Sequence, residues 1–209
     1  MELFTRDMVL AGPPADVRQW AVGVAEAFED ATGRRINTWT SVAGGTAGHY
    51  SWGYQVDGSA ELVTNTMAAL ADADYLARVE EGRQFFTGQP RDTLYRAFGE
   101  LGEDQTRVGN VAMITQATAK AGSLGHAVGW GQEISEYVQR LTGLYNVLLS
   151  APLGPYSLLT WMGIAKDPAQ ADEADRRMRT DDEYLKLISR GGDFFQDGSG
   201  HTQLFLRIG

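Results

Sequence analysis

Tyr-Leu-Ala-Arg-Val-Glu-Glu-Gly-Arg-Gln-Phe-Phe (75–86) returns 109 residues later as Tyr-Leu-Lys-Leu-Ile-Ser-Arg-Gly-Gly-Asp-Phe-Phe (184–195). The Tyr-Leu pair, Gly82 with Gly191 and the Phe-Phe pair coincide, and Trp52 meets Trp161 in the same register. One residue of slippage, to 110, brings in a second set: Ala11-Gly12 with Ala121-Gly122, Trp20 with Trp130, Glu26 with Glu136, Thr32-Gly33 with Thr142-Gly143, Asp57 with Asp167, and Leu94 and Gly99 with Leu204 and Gly209. Chance can align scattered glycines and alanines. It does not readily align two tryptophans, a Tyr-Leu pair and a Phe-Phe pair in nearly one register. Solenoid repeats run roughly 20–50 residues, so this period marks the duplication of a domain-sized unit.

Around the repeat, the first half alternates short β-rich and helical patterns. Residues 3–10 predict a strand ended by Ala11-Gly12-Pro13-Pro14. Residues 15–31 predict a helix with Val17, Trp20, Ala21, Val24 and Phe28 on one face and Gly33 as its left-handed stop. Strands at 35–42 and 49–56 are joined by Ala43-Gly44-Gly45-Thr46-Ala47-Gly48, read as a flexible gate. A helical stretch at 59–87, broken near Asp72-Ala73-Asp74, leads to a last strand at 92–98. The second half repeats the order with a strand at 108–118, a helix at 124–142, strands at 144–151 and 156–165, a helix at 169–196 and a strand at 202–208. The expected organisation is an N-terminal half at 1–100, a linker at 101–106 and a C-terminal half at 107–209.

The order β-α-β-β-α-β is the split βαβ arrangement, with both helices on one face of a four-stranded antiparallel sheet. The other face then needs a cover. Both faces of the strands are loaded: Tyr50, Trp52, Tyr54 and Val56 alternate with His49, Ser51, Gly53 and Gln55, and Leu158, Thr160, Met162 and Ile164 alternate with Leu159, Trp161 and Gly163. A sheet with two loaded faces buries both. The expected fold class is therefore α+β: two tandem ferredoxin-like βαββαβ units whose antiparallel sheets face each other to form a barrel, with the helices outside. Trp20 and Trp130, at equal offsets on apolar helical faces, are expected at matching buried places between helix and sheet.

With that element order and half-length, the segments Ala-Asp-Ala-Asp-Tyr-Leu-Ala-Arg-Val (71–79) and Thr-Asp-Asp-Glu-Tyr-Leu-Lys-Leu-Ile (180–188) resemble the dimeric α+β barrel superfamily. That superfamily includes antibiotic-biosynthesis monooxygenase-like, NIPSNAP-like and stress-responsive barrel proteins. The resemblance covers the whole chain as two fused copies. It implies a range of activities, from cofactor-free oxygenases of aromatic polyketides and isomerases to haem proteins and pure ligand binders, often in natural-product gene clusters of actinomycetes. The arginine-rich, lysine-poor composition, with lysines at 120, 166 and 186, suits such a GC-rich bacterial source.

Composition narrows the chemistry. The chain of 209 residues has no cysteine, which excludes disulfides, thiolate catalysis and Cys-ligated metals. A net charge of −9 argues against nucleic acid as a partner, since phosphate binding needs a basic face. No apolar run spans a bilayer, and Glu2, Arg6 and Asp7 interrupt the first segment, so neither a membrane nor a signal peptide is expected and the default location is cytoplasmic. There is no G-x-S-x-G elbow and no phosphate-loop spacing.

The candidate site is the polar-aromatic cluster of strand 49–56 with its neighbour. His49 and Tyr54 are the catalytic candidates, His49 because imidazole exchanges protons near neutrality. Arg6, Asn37, Trp39, Tyr50, Trp52 and Trp161 are the ligand-binding candidates, because aromatic bodies with polar tips suit a flat or greasy ligand. Each tryptophan taken singly is more simply core packing. Asn110 and Gln116 offer hydrogen bonds in the second half. Arg6, Arg96 and Arg207, charges within strands, need partners or an anion. The three histidines, His49, His126 and His201, have no metal spacing, and no cofactor is expected; haem on His126 is the minor alternative that the resemblance leaves. Three readings follow. The chain binds, and in one version tailors, a hydrophobic or polycyclic aromatic small molecule in bacterial natural-product biosynthesis. It is a cofactor-independent monooxygenase, isomerase or cyclase. Or it is an interaction protein with a filled barrel. A homodimer is expected.

Overall fold

The computed structural model describes residues 1–99, 101 and 106–209, so most of the expected linker at 101–106 lies outside the described residues. The first half runs β1 (Glu2–Val9), α1 (Pro14–Thr32), β2 (Asn37–Ala43), β3 (His49–Val56), α2 (Ser59–Ala71), α3 (Ala73–Glu81), a 3-10 turn (Gly82–Phe85) and β4 (Arg91–Ala97). The second runs β5 (Val111–Thr118), α4 (Leu124–Thr142), β6 (Tyr145–Leu153), β7 (Leu158–Ala165), α5 (Pro168–Thr180), α6 (Asp182–Gly191) and β8 (His201–Arg207). Local chemistry sets the ends alike in both halves. α1 stops at Gly33 (φ 67°) and α4 at Gly143 (φ 72°), where only glycine is unstrained. Asp72 accepts from the Tyr75 amide at 2.8 Å to start α3, and Asp181 from the Tyr184 amide at 2.7 Å to start α6. The single helix expected at 169–196 is therefore two, because Asp181 caps a new helix where Asp72 does in the first half.

All strands pair antiparallel in one closed barrel of order β1-β3-β2-β8-β5-β7-β6-β4. Each half supplies a 4-1-3-2 sheet. The halves do more than face each other: their edges join, β2 to β8 (Trp39 opposite Arg207, Ser41 opposite Phe205) and β4 to β6 (Ala97 opposite Leu149). Closure leaves no edge strand to aggregate.

The repeated residues are the layer between helices and sheet. Trp20 and Trp130 are buried, and each meets its half's sheet tryptophan edge-on: Trp20–Trp52 at 5.9 Å and 81°, Trp130–Trp161 at 5.6 Å and 80°. Each indole N–H has a carbonyl: Trp20 on Arg78, Trp130 on Leu187, Trp52 on Ala21 and Trp161 on Gly131. Phe85 and Phe86 close the first cluster, and Phe194 and Phe195 the second. Gly82 and Gly191 repeat because a Cβ there would lie 2.1 Å from the Trp20 ring and 2.7 Å from the Trp130 ring. In the loop expected as a flexible gate, residues 43–47 are exposed, and two of its glycines stand close against neighbouring backbone. A Cβ on Gly44 would meet the Thr202 carbonyl at 2.2 Å and one on Gly48 the Leu10 carbonyl at 2.3 Å, both at positive φ. Among the described residues, no helix is long and apolar enough to cross a membrane.

Candidate active site in the barrel lumen

The face of each sheet turned away from the helices lines a cavity of about 1390 Å³ inside the barrel. Strand alternation decides who lines it. From the first half come Leu3, Thr5 and Asp7 of β1, Asn37 and Trp39 of β2, His49 and Ser51 of β3, and Tyr95 of β4; from the second, Ile114 and Gln116 of β5, Leu149 of β6, Thr160 and Met162 of β7, and Gln203 and Phe205 of β8.

Of the expected site residues, the lumen therefore gathers His49, Asn37 and Trp39; Tyr54 borders the cavity from the helix-facing side, where it packs with Phe28 of α1. Four others lie on the opposite face. Tyr50 and Trp52 belong to the core cluster against α1, and Trp161 to its counterpart against α4. Arg6 also points outward, clamped by Asp92 through Nε at 2.8 Å and Nη2 at 2.7 Å. The physical reason is volume: with two loaded faces, the bulkier one takes the helical layer, where indoles find both apolar partners and carbonyls. Tyr54 packs on Phe4 (5.4 Å) and Phe28 (5.1 Å), and burial pushes its hydroxyl up to about 12 despite a hydrogen bond to Asn65. It is built as a wall and poorly suited to exchange protons near neutrality. Of the strand arginines, Arg96 is paired with Glu2 (2.6 Å), and Arg207 is almost wholly buried, its Nε donating to the Gly209 carbonyl at 3.0 Å.

His49 is buried, and its Nε2 lies 3.1 Å from Asp7 Oδ1. An ionised carboxylate only accepts, so this contact assigns the proton to Nε2 and leaves Nδ1 as the basic nitrogen. Phe205 of the other half holds the ring edge-on at 5.1 Å. Asp7 thus fixes the tautomer and orientation of the imidazole, the arrangement that an acidic partner gives a histidine in His–Asp pairs elsewhere. Asp7 was not a sequence candidate.

A second cluster stands at the pseudo-symmetric place. Strand pairing sets Asp7 opposite Ser51 and Arg91, and Gln116 opposite Thr160 and His201. In the same way Leu3 faces Tyr95 and Ala112 faces Phe205. Gln116 thus occupies the place of Asp7, Thr160 that of Ser51, Leu158 that of His49, and Phe205 that of Tyr95. In each half the aromatic of the closing strand crosses to the other half's cluster: Phe205 onto His49, and Tyr95 onto Gln116, whose Nε2 donates to the Tyr95 hydroxyl and to Thr160 Oγ1, both at 3.1 Å. Burial, with the charge of Asp7 adding to it, raises the Tyr95 hydroxyl above its ordinary range against its hydrogen bonds to Thr160 and Gln116. Tyr95 stays protonated, accepts from Gln116 and has its own proton to donate. The duplicated site has diverged into an ionisable cluster, Asp7–His49, and a neutral donor cluster, Tyr95–Gln116–Thr160. The sequence signal for this was the mismatch itself: an Asp and a His at lumen positions where the repeat has Gln and Leu.

Among the described residues, no group of three His, Cys, Asp or Glu could hold a metal ion. His126, in the first turn of α4, stacks on Phe194 at 6.3 Å and does not border the lumen.

No family model matches the chain, and no characterised protein matches it in sequence. Solved structures do match in shape. A candidate monooxygenase from Fusobacterium nucleatum is similar over 100% of this chain and 92% of its own, with a TM-score of 0.69 and 9% identity. An anthrone oxidase-like protein is similar over 100% and 92%, with a TM-score of 0.67 and 13% identity. A major regulator of staphylococcal pathogenesis is similar over the full length of both chains, with a TM-score of 0.59 and 9% identity. What these structures share with this chain is the fold, an α+β barrel, here closed by two ferredoxin-like halves on one chain. At these identities the likeness establishes the fold alone, since one fold hosts many functions.

Proposed function

We propose that the lumen binds a hydrophobic or polycyclic aromatic small molecule and that His49, oriented by Asp7, takes a proton from it, in a monooxygenase-like tailoring reaction. The observation that carries this reading is a His–Asp pair, with the histidine buried and the aspartate partly so, in the wall of a roughly 1390 Å³ cavity. That volume suits a ligand of drug size or larger, and it argues against the reading of a filled barrel. Trp39, Ile114, Leu149, Met162 and Phe205 supply apolar and aromatic walls. Tyr95 donates to the oxygen on which charge develops as His49 removes the proton, so base and donor share the work. Oxygen chemistry is supported by neighbours described as monooxygenase and anthrone oxidase-like. The natural-product setting that the sequence resemblance implies is one rich in such substrates.

The test uses anthrone, a tricyclic with an acidic C–H, in air. Trp39 is the one lumen tryptophan among five in the chain, so anthrone is expected to quench fluorescence saturably and Trp39→Phe to remove most of that quench. Oxygen uptake is expected in the wild type, and His49→Ala is expected to keep binding while losing turnover. Saturable quenching that survives Trp39→Phe unchanged places the ligand outside the lumen and overturns the reading.

A further inference from the structure

The cavity is electrostatically opposite to the chain that encloses it. At the end of the barrel where β2, β5 and β6 begin and β7 stops, Arg35, Arg107 and Lys166 border the cavity, and all three are exposed. Arg91, also exposed, borders it at the opposite end, where β4 begins, beside Asp7 in the strand register. None of the four forms an ion pair among the described residues. Many arginines elsewhere are taken up by carboxylates, among them Arg6 by Asp92, Arg96 by Glu2, Arg190 by Glu133, and Arg34, the immediate neighbour of Arg35, by Glu61. Among the described residues, the one carboxylate bordering the cavity is Asp7, which is already engaged by His49. Among the described residues of a chain of net charge −9, no acid thus borders this mouth, where three cations stand.

The arrangement is held in place. Asn110 accepts from the Arg107 amide through Oδ1 at 2.6 Å and donates through Nδ2 to the Lys166 carbonyl at 2.8 Å, tying the approach to β5 to the end of β7. Gln170 accepts from the Lys166 amide at 2.8 Å and steadies the same corner from α5. Unpaired cations converging on a concave, low-dielectric opening attract anions and concentrate them there.

We propose that the natural ligand is an organic anion, a carboxylate- or other acid-bearing aromatic, whose charged group sits at the Arg35–Arg107–Lys166 mouth while its apolar body lies in the lumen toward His49. This rests on the lumen being the ligand site and adds the charge of the ligand. Neutral apolar compounds fit the walls but leave the cations unanswered.

Two probes with one body separate the ideas: 8-anilinonaphthalene-1-sulfonate and N-phenyl-1-naphthylamine, its counterpart without the sulfonate, each titrated against the tryptophan fluorescence of the full chain. The sulfonate is expected to bind about tenfold or more tightly than the neutral probe at low salt, with the advantage shrinking at high salt. The triple variant Arg35→Gln, Arg107→Gln, Lys166→Gln is expected to lose that advantage and keep its affinity for the neutral probe, which also serves as the check that the barrel is intact. Equal binding of the two probes by the wild type, or an advantage that the triple variant retains, overturns the anion and leaves the lumen site standing. Failure of both probes to bind saturably overturns the lumen reading and this proposal with it.

Discussion

At the scale of single residues, the pair to question is Asp7 and His49. If Asp7 sets the imidazole tautomer, an amide in its place presents a donor as readily as an acceptor and lets the ring turn over. Asp7→Asn is expected to lower anthrone-dependent oxygen uptake by about 100-fold or more, with quenching of Trp39 little changed. A wild-type rate in Asp7→Asn removes the pair from the chemistry. Tyr54 makes the opposite prediction, about the fold rather than the reaction. Its hydroxyl is held up to about 12 against an ordinary value of 10.0, so the unfolded chain ionises first as pH rises. The stabilisation is complete below pH 10 and is lost between pH 10 and about 12. Denaturant melts across that window are expected to show a steeper loss for the wild type than for Tyr54→Phe. What the residues disclosed in advance follows from the same split. His49, Asn37, Trp39 and Gln116 were legible because each is a polar or aromatic group on a strand face with a readable period. Asp7 was passed over beside the more conspicuous Arg6, and Tyr50, Trp52 and Trp161 were drawn into the lumen. Alternation tells which residues share a face; with two loaded faces it does not tell which face meets the helices.

At the scale of elements, duplication explains why the fold was easier to read than the site. The repeated tryptophans, glycines and phenylalanine pairs build the helix–sheet layer, which both halves need in the same form. Selection on packing preserves what the sequence comparison detects. The lumen obeys no such constraint, and there the halves differ: Asp7 against Gln116, His49 against Leu158, and outside it the Arg6–Asp92 ion pair against Thr115 and Thr202, whose hydroxyls lie 2.9 Å apart. The second break, at Asp181, was missed although its twin at Asp72 was seen; laying Asp181 on Asp72 in the register of the repeat predicts it. The packing argument has a sharp consequence. Gly82 has φ −76°, which any residue adopts, so its requirement is space alone. Gly82→Ala drives a methyl to within 2.1 Å of the Trp20 ring, and Gly191→Ala does the same at 2.7 Å of Trp130. Each is expected to cost about 1–3 kcal/mol by chemical denaturation, the range for overpacking, with the tighter Gly82 site paying more. A neutral result at either position places its indole elsewhere.

At the scale of the whole molecule, the outer helical layer is asymmetric in a way the barrel is not. On α2, Val63, Met67 and Leu70 stand three to four residues apart and are 57%, 67% and 58% exposed. The register of the repeat puts Asp172, Arg176 and Arg179 at the same places on α5, where Arg176 pairs with Glu173 and Arg179 with Asp175. One copy of the helix is solvated by an ion-pair network; the other presents an apolar stripe, and its one charged residue, Glu61, is engaged by Arg34. Two copies of a chain carrying −9 repel each other across most of their surfaces. The α2 face lacks that repulsion, and an apolar patch on one helix meets its own copy about a twofold axis without leaving a second patch open. The homodimer anticipated from the sequence is therefore expected to form through paired α2 helices, with the cation-lined mouths of both barrels left accessible. Sedimentation of the wild type at micromolar concentration is expected to give a dimer, and Met67→Glu with Leu70→Glu to give a monomer that binds ligand unchanged, since neither residue borders the lumen. A wild-type chain that stays monomeric refutes the dimer, and a dimer that the double variant leaves intact moves the interface off α2.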